Sequence, residues 1–519
     1  MNTPDSHELQ VLRARLQDLT EEWEPSTAPT KGSSFNPRRW LALTFLVLIL
    51  TGGALLCTPW AQASGLWAWQ VPGQTFSWAY CWRAVLDNFF MATSASCVTG
   101  LTVVDTASAY STFGHAVLLV CIQLGGLSLL TLGTLIVTIL LGRVPVGGEA
   151  QMMMSYGAAS SGRAHHLLWQ TIRYVFTFEA IGAGLLFLRY FYHHGLPLAK
   201  SLWFAAFHAI SAFCNAGLSL HENNLIDLRG DMIYCTIITL LVLLGGLGFI
   251  VIANVFQYRF WRRDLRLRGR ISLHSRIVLW VTLFLFMGGG LLFTLLEWNT
   301  SLKAGLPDLS IWETLRTGDW ANLPAAFRVS CEKVCYGFSQ AAMMRTAGFN
   351  FVPMDQVTPP ANLLSVLLML IGGSPGSMAG GIKTTTIIVL GLTIRAYIRG
   401  NPEVQLHRRT ISNAISREAM VIVFFYLLLV FCFYFILLVT ESAVAHAHGD
   451  FALFYEVTSA FGTVGTSLNT TPALTPIGRL LIALAMFLGR IGPISLAMIM
   501  ADRGLTRHVR YPDENVTVG

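Results

Sequence analysis

A short stretch centred on glycine recurs four times in this chain, each time between two long apolar runs. The copies are Val98-Thr99-Gly100-Leu101-Thr102, Asn215-Ala216-Gly217-Leu218-Ser219, Thr346-Ala347-Gly348-Phe349-Asn350 and Thr463-Val464-Gly465-Thr466-Ser467. Their glycines stand 117, 131 and 117 residues apart. A near-constant period means one structural unit used several times. In a membrane such a unit is tightly constrained. Backbone that is not helical cannot face lipid, because its N–H and C=O groups would go unsatisfied, but it can line a water-filled path. Glycine there reaches backbone angles that turn successive carbonyls the same way. Four such strands around an axis form rings of oxygens that can replace the water shell of a cation.

A membrane setting follows from composition. Of 519 residues 54% are hydrophobic and 12% charged, where a soluble chain carries about 25% charged residues. Mean hydropathy is +0.56. The nine cysteines are scattered, mostly in apolar runs, and read as small hydrophobes. Cys331 and Cys335, one helical turn apart, read as packing residues. The N-terminus is polar and the first apolar run begins near Trp40, so no cleavable signal peptide is expected.

Spanning segments need about 20 apolar residues. They are expected near 40–60, 113–141, 167–191, 232–257, 276–297, 361–398, 418–441 and 476–500. Shorter apolar segments near 82–97, 200–214, 328–345 and 450–462 precede the glycine copies and read as re-entrant pore helices. Residues 1–38 carry Leu9, Leu12, Leu16 and Leu19 in a heptad seam, which either docks or pairs with itself, or frays. Arginines follow the even-numbered spans: Arg259, Arg262, Arg263, Arg266, Arg268 and Arg270, then Arg395, Arg399, Arg408 and Arg409, then Arg503, Arg507 and Arg510. The positive-inside rule makes these segments and both termini cytoplasmic. The repeats are then parallel, unlike the inverted repeats of many carriers. The net charge of +7 is explained by topology and anionic lipid contact, with no nucleic acid required.

The sixth apolar run is interrupted by Gly372-Gly373-Ser374-Pro375-Gly376-Ser377-Met378-Ala379-Gly380-Gly381-Ile382-Lys383-Thr384. Ile382 separates glycine from lysine, so the phosphate-loop pattern fails. Glycine and proline break a helix there, which is tolerated only in a cavity or inside protein. Arg490 lies deep in the last span and must face protein or water. Glu179 in the third span reads as a packing partner. The pairs His165/His166, His193/His194 and His446/His448 read as interfacial rather than as metal ligands. No H-E-x-x-H and no intramembrane carboxylate pair is present, so no enzyme activity and no cofactor are expected.

The four glycine copies, Arg345-Thr346-Ala347-Gly348-Phe349-Asn350, the loop at 372–384 and Gly489-Arg490-Ile491-Gly492-Pro493 resemble the Trk/Ktr/HKT superfamily of potassium transporters, most of all its Ktr branch, over roughly residues 38–510. The resemblance implies an all-α polytopic protein of four pseudo-symmetric helix–pore-loop–helix repeats around a single ion pore. It divides the chain into a cytoplasmic segment 1–38, repeats at 39–145, 146–260, 261–400 and 401–503, and a cytoplasmic tail 504–519. Potassium, the substrate, would bind filter residues Val98, Thr99, Gly100, Asn215, Ala216, Gly217, Thr346, Ala347, Gly348, Thr463, Val464 and Gly465. Residues 372–383, with Gly372, Gly373, Ser374, Pro375, Gly376, Gly380, Gly381 and Lys383, would form an intramembrane gate, and Arg490 an electrostatic barrier. Glycine at all four filter positions goes with potassium over sodium in that family. A homodimer in the plasma membrane and a separate nucleotide-binding regulatory subunit of the KtrA kind are implied as well. The rival readings are a sodium-permeable or proton-coupled member of the superfamily and, in another class, a membrane-embedded enzyme or alternating-access carrier.

Overall fold

The computed structural model describes residues 37–127 (except 69 and 71–77), 164–257, 271–298, 316 and 323–492 (except 402, 407 and 408). The leucine seam, the arginine-rich 258–270 segment, the C-terminal tail and the far ends of the second and last expected spans lie outside these residues.

Four sets of an outer helix, a pore helix and an inner helix follow one another. The first set is α1 (Pro37–Leu56), α2 (Trp78–Ser96) and α3 (Thr112–Gly126). The second is α4 (Ala164–Leu188), α5 (Leu198–Phe213) and a broken inner helix, α6 (Met232–Leu247) and α7 (Phe249–Gln257). The third is α8 (Leu273–Leu296), α9 (Leu323–Met343) and an interrupted inner segment, α10 (Pro359–Leu370) and α11 (Thr384–Ile398). A two-stranded hairpin, β1 (Val404–Leu406) and β2 (Arg409–Ile411), leads to the fourth: α12 (Asn413–Thr440), α13 (Asp450–Gly462) and α14 (Pro476–Ile491). This is the all-α, four-repeat architecture expected.

The sets close on themselves. Each outer helix packs on its own pore helix, and each inner helix packs on the pore helix of the next set: α3 on α5, α6 on α9, α10 on α13, and α14 back on α2. At that closing seam Arg479 of α14, buried at 3% side-chain exposure, pairs with Asp87 of α2. Among the described residues α4, α8 and α12 are long and apolar enough to cross a membrane, as is the bent pair α6/α7. Phe284, Leu291, Phe424, Phe435 and Val439 face outward from α8 and α12, an apolar surface suited to lipid rather than water.

One joint recurs in every set. Ser111, Asp231, Thr358 and Thr475 stand at the N-caps of the inner helices, positions that favour short polar side chains. Each also grips the end of its outer helix. The Ser111 hydroxyl donates to the Trp60 carbonyl. Thr358 donates from N to Glu297 at 2.9 Å and from its hydroxyl to the same carboxylate. Thr475 does the same to Glu441, with the N–H at 3.0 Å. Asp231 instead accepts from Arg189 at 2.6 Å and from His194 at 3.1 Å.

The expected single span at 232–257 is in fact two helices meeting at 96°. Gly248 ends α6 at φ +79°, outside the helical region, and a Cβ there would lie 2.7 Å from the Ser374 hydroxyl. The bend makes room for the segment between α10 and α11.

Glu441 is 1% exposed. Glu441→Ala strands Thr475 and is expected to cost about 1–3 kcal/mol, read as a lowered Tm of the detergent-solubilised protein. Glu418→Ala, at an exposed position on the same helix, should leave Tm unchanged.

Candidate functional site

Each pore helix ends in the same turn. The residue two before each glycine has left-handed backbone: Val98 at φ 56°, Asn215 at 61°, Thr346 at 72° and Thr463 at 49°. The glycines follow at 96°, 67°, 74° and 99°. Three of the four preceding residues are β-branched, which makes them true outliers, at about 1–3 kcal/mol each. Alternating the sign of φ along a strand brings successive carbonyls to one side. The turn is held from behind. Thr99, Ala216 and Val464 donate their N–H to the carbonyls of Ser94, Ser211 and Ser459 at 2.7–2.8 Å. Gly100 and Gly465 donate to the Ser94 and Ser459 hydroxyls at 3.0 and 3.1 Å. In the third copy Ala342 replaces this serine.

The four copies meet. A Cβ on Gly100 would lie 2.5 Å from the Ala216 carbonyl oxygen, and one on Gly217 2.7 Å from that of Ala347. One on Gly348 would collide with the Val464 oxygen, and one on Gly465 with that of Thr99. Each glycine therefore abuts the carbonyl of the following copy, and the fourth abuts the first. The predicted residues form one closed ring. Among the described residues the buried hydroxyls of Thr99 and Thr463 have no hydrogen-bond partner.

Residues 371–383 lodge against one side of this ring. Ile371 and Ile382 bridge in parallel, and Gly372 N–H donates to the Ile382 carbonyl at 2.9 Å. The excursion is fastened to the end of α6: Ser374 N–H donates to the Gly246 carbonyl at 3.1 Å and Met378 N–H to that of Gly245 at 3.3 Å. Gly380 presses on the Thr463 side chain so closely that no Cβ fits. Ser374, Met378, Ala379 and Gly380 are buried, and Lys383 Nζ donates to the Ala379 carbonyl at 2.6 Å. Arg490, buried, donates to the Met378 carbonyl at 2.5 Å and to the Gly125 carbonyl. Among the described residues its partners are carbonyls, not a carboxylate. Arg345, also buried, reaches the Gly372 carbonyl at 3.4 Å. Glu179 accepts from Gln123 at 3.2 Å and from the Cys214 thiol at 3.7 Å.

Residues 75–504 match the family described as TrkH, cation transport protein. The chain belongs to the TrkH family. It is 33% identical to the Ktr system potassium uptake protein B of Bacillus subtilis, over 93% of this chain and 97% of the relative. It is 31% identical to the potassium/sodium uptake protein NtpJ of Enterococcus hirae, with the same coverage. In fold it resembles the crystal structure of the potassium transporter TrkH from Vibrio parahaemolyticus, with a TM-score of 0.60 at 15% identity, covering 91% of this chain and 86% of that one. The TrkH family is one of integral-membrane cation transporters, not an enzyme family.

Two features of this TrkH-family chain escaped the sequence reading. The first is a second repeated signal, the pairs Gly125-Gly126, Gly245-Gly246 and Gly372-Gly373, with Gly489-Arg490 in the fourth set. Gly125, Gly245 and Gly489 press on the last carbonyls of the pore helices, at Ser96, Phe213 and Phe461. Arg490 thus stands where the other sets have a second glycine. The other feature is a tether across the second, third and fourth exit loops. His208 Nε2 bonds Ser219 Oγ at 3.1 Å, Gln340 accepts from Phe351 N–H at 2.9 Å, and Glu456 accepts from Ser467 at 2.7 Å. Both signals lie in the spacing of these residues from the filter-motif glycines.

Gly489→Ala should destabilise by several kcal/mol, because its methyl would have to displace the Phe461 backbone. Gly391→Ala, in α11 with nothing within 4 Å, should stabilise by about 0.5–1 kcal/mol. Thermal unfolding of the two variants in the same detergent checks the contrast.

Proposed function

We propose that this chain is the pore-forming subunit of a potassium-uptake system. One observation carries the reading: four glycine-centred strands, alike in backbone, close into a ring at the C-terminal ends of four converging pore helices. Those helix ends carry partial negative charge and favour a cation. The carbonyls of Val98, Thr99, Gly100 and their counterparts replace its hydration shell. The membrane potential drives entry, at about 2.3 kcal/mol per charge per 100 mV. The chain sits in the plasma membrane with both termini cytoplasmic. It pairs with a second copy and with a nucleotide-binding regulatory subunit, a reading supported by the Bacillus relative's naming as part of a Ktr system. Growth of a potassium-uptake-deficient bacterium on low potassium, with the chain alone and then with its regulator, tests this. No rescue in either case overturns it. A second reading, that sodium also passes, is favoured by the name of the Enterococcus relative.

Gly465 decides between the two ions. Its φ of 99° and its contact with Thr99 leave no room for a side chain. Gly465→Ser is expected to weaken potassium affinity and reduce discrimination against sodium. Unchanged uptake kinetics for both ions would remove it from the filter.

The 372–383 excursion acts as the gate, since it fills space beside the ring and is held by reversible hydrogen bonds. Removing Pro375–Ser377 should raise uptake per folded molecule and lessen dependence on the regulator; uptake no faster than wild type would make the excursion a structural kink.

Arg490 latches the gate and adds a fixed positive charge. At an effective dielectric near 20, charges several ångströms apart interact by a few kcal/mol, and about 1.4 kcal/mol is tenfold in rate. Arg490→Gln should therefore speed flux about tenfold or more while leaving selectivity intact. A destabilised variant with no gain in flux would count against both roles.

A further inference from the structure

The joint between outer and inner helix is built differently in the second set. Elsewhere it joins a hydroxyl to a carbonyl or a carboxylate. Here two imidazoles are set against a carboxylate, and the local backbone is altered to bring them there. Beyond α4 the chain makes a π-helical turn, Arg189–His193, closed by the His194 N–H to the Arg189 carbonyl at 3.3 Å. Such turns are rare and concentrate at functional sites. Neighbouring side chains on an α-helix diverge by about 100°. After this turn the His193 and His194 rings lie 5.0 Å apart, centroid to centroid, at 81°.

One nitrogen from each ring and one oxygen of Asp231 all lie within 4.8 Å of one another. Zinc ligands sit about 2.0–2.2 Å from the metal, so tetrahedral edges are about 3.4 Å. His193 is exposed and His194 has 25% side-chain exposure, so both rings have room to rotate toward that spacing.

We propose that His193, His194 and Asp231 form a binding site for Zn2+ or a similar transition-metal cation, with water as the fourth ligand. Two imidazoles and one carboxylate suit this class of ion, whereas potassium and magnesium prefer all-oxygen sites. The carboxylate is already oriented. Arg189 Nε donates to Oδ2 at 2.6 Å and Tyr234 N–H to Oδ1 at 3.0 Å, the kind of outer-shell support that metal ligands receive. His194 Nε2 bonds the same Oδ2 at 3.1 Å. Metal entry takes the Nε2 lone pair, so the ring proton in that bond shifts to Nδ1 by exchange with solvent and the imidazole stays neutral. Oδ2 keeps two partners throughout, first Arg189 and His194, then Arg189 and the metal. The bound ion would pin the end of the second outer helix to the start of its inner helix, on the membrane face where the glycine strands emerge. Tyr190, in the same π-turn, bonds Tyr234 and His221 at 2.9 Å each, so the site is continuous with the loop that follows Gly217.

The test uses the full chain in detergent and does not depend on transport. Zn2+ is titrated calorimetrically, and Tm is measured with Zn2+ and, separately, with Mg2+. The expected result includes one Zn2+ site per chain that His193→Ala and His194→Ala each weaken at least about tenfold, together with a Tm rise for Zn2+ but not Mg2+. A His446→Ala/His448→Ala variant should bind as wild type does. Because His193 is exposed, its variant folds whatever becomes of the His194 variant and suffices alone. Undiminished Zn2+ binding by His193→Ala, loss of binding in the His446/His448 variant, or no saturable binding at all would overturn the proposal.

Discussion

The close approach of four backbone strands is the constraint from which the rest of the molecule follows. A carbonyl oxygen can lie against a glycine Cα only if no side chain intervenes, and here this happens at four successive corners of one ring. Backbone drawn this far out of helical geometry must still satisfy its N–H groups within a membrane. The ends of the pore helices do so, through the carbonyls and hydroxyls of Ser94 and Ser459 and the carbonyl of Ser211. Those helix ends must in turn stay close to the axis. Gly125, Gly245 and Gly489 permit this by letting the inner helices touch the last pore-helix carbonyls directly. Glycine thus acts at two depths, once to make the ring and once to let the scaffold approach it.

The four sets share this scheme but differ where they touch one another. The second inner helix bends at Gly248, the third opens into the 371–383 excursion, and the fourth ends in an arginine that bonds the excursion and the first inner helix. These three departures are one assembly. The bend provides the space, the excursion fills it, and Arg490 closes it from the far side. The salt bridge of Arg479 with Asp87 joins the last set to the first, so this uneven interior sits within an unbroken circuit of helix contacts.

Much of this was legible in the chain itself. The four glycine copies announced the repeat, and the short apolar segments before them are pore helices: the segment expected at 450–462 is α13 at Asp450–Gly462. The interruption of the sixth apolar run was plain because glycine and proline do not sit idly in a membrane helix. The bend at Gly248 was not, because a lone glycine in an apolar run looks like any other, and what demands it is the Ser374 hydroxyl from another set. The partners of Arg490 were equally hidden. The sequence required only that it face protein or water; its guanidinium meets the carbonyls of Met378 and Gly125, and carbonyls carry no sequence signature. The pairing of His194 with Asp231 likewise needs two segments 37 residues apart to meet.

Arg490 occupies a place where three glycines might have been four. In an assembly of identical subunits a residue beside the axis appears as many times as there are subunits, and four guanidinium groups in so small a cross-section would repel one another by several kcal/mol per pair. Joining the four units in a single polypeptide removes that restriction. Each corner of the ring can carry its own chemistry, so one arginine, one excursion and one bend can each exist in a single copy. Covalent linkage thereby turns a rotationally symmetric scaffold into one whose four sides differ, and a change on one side need not be repeated on the other three.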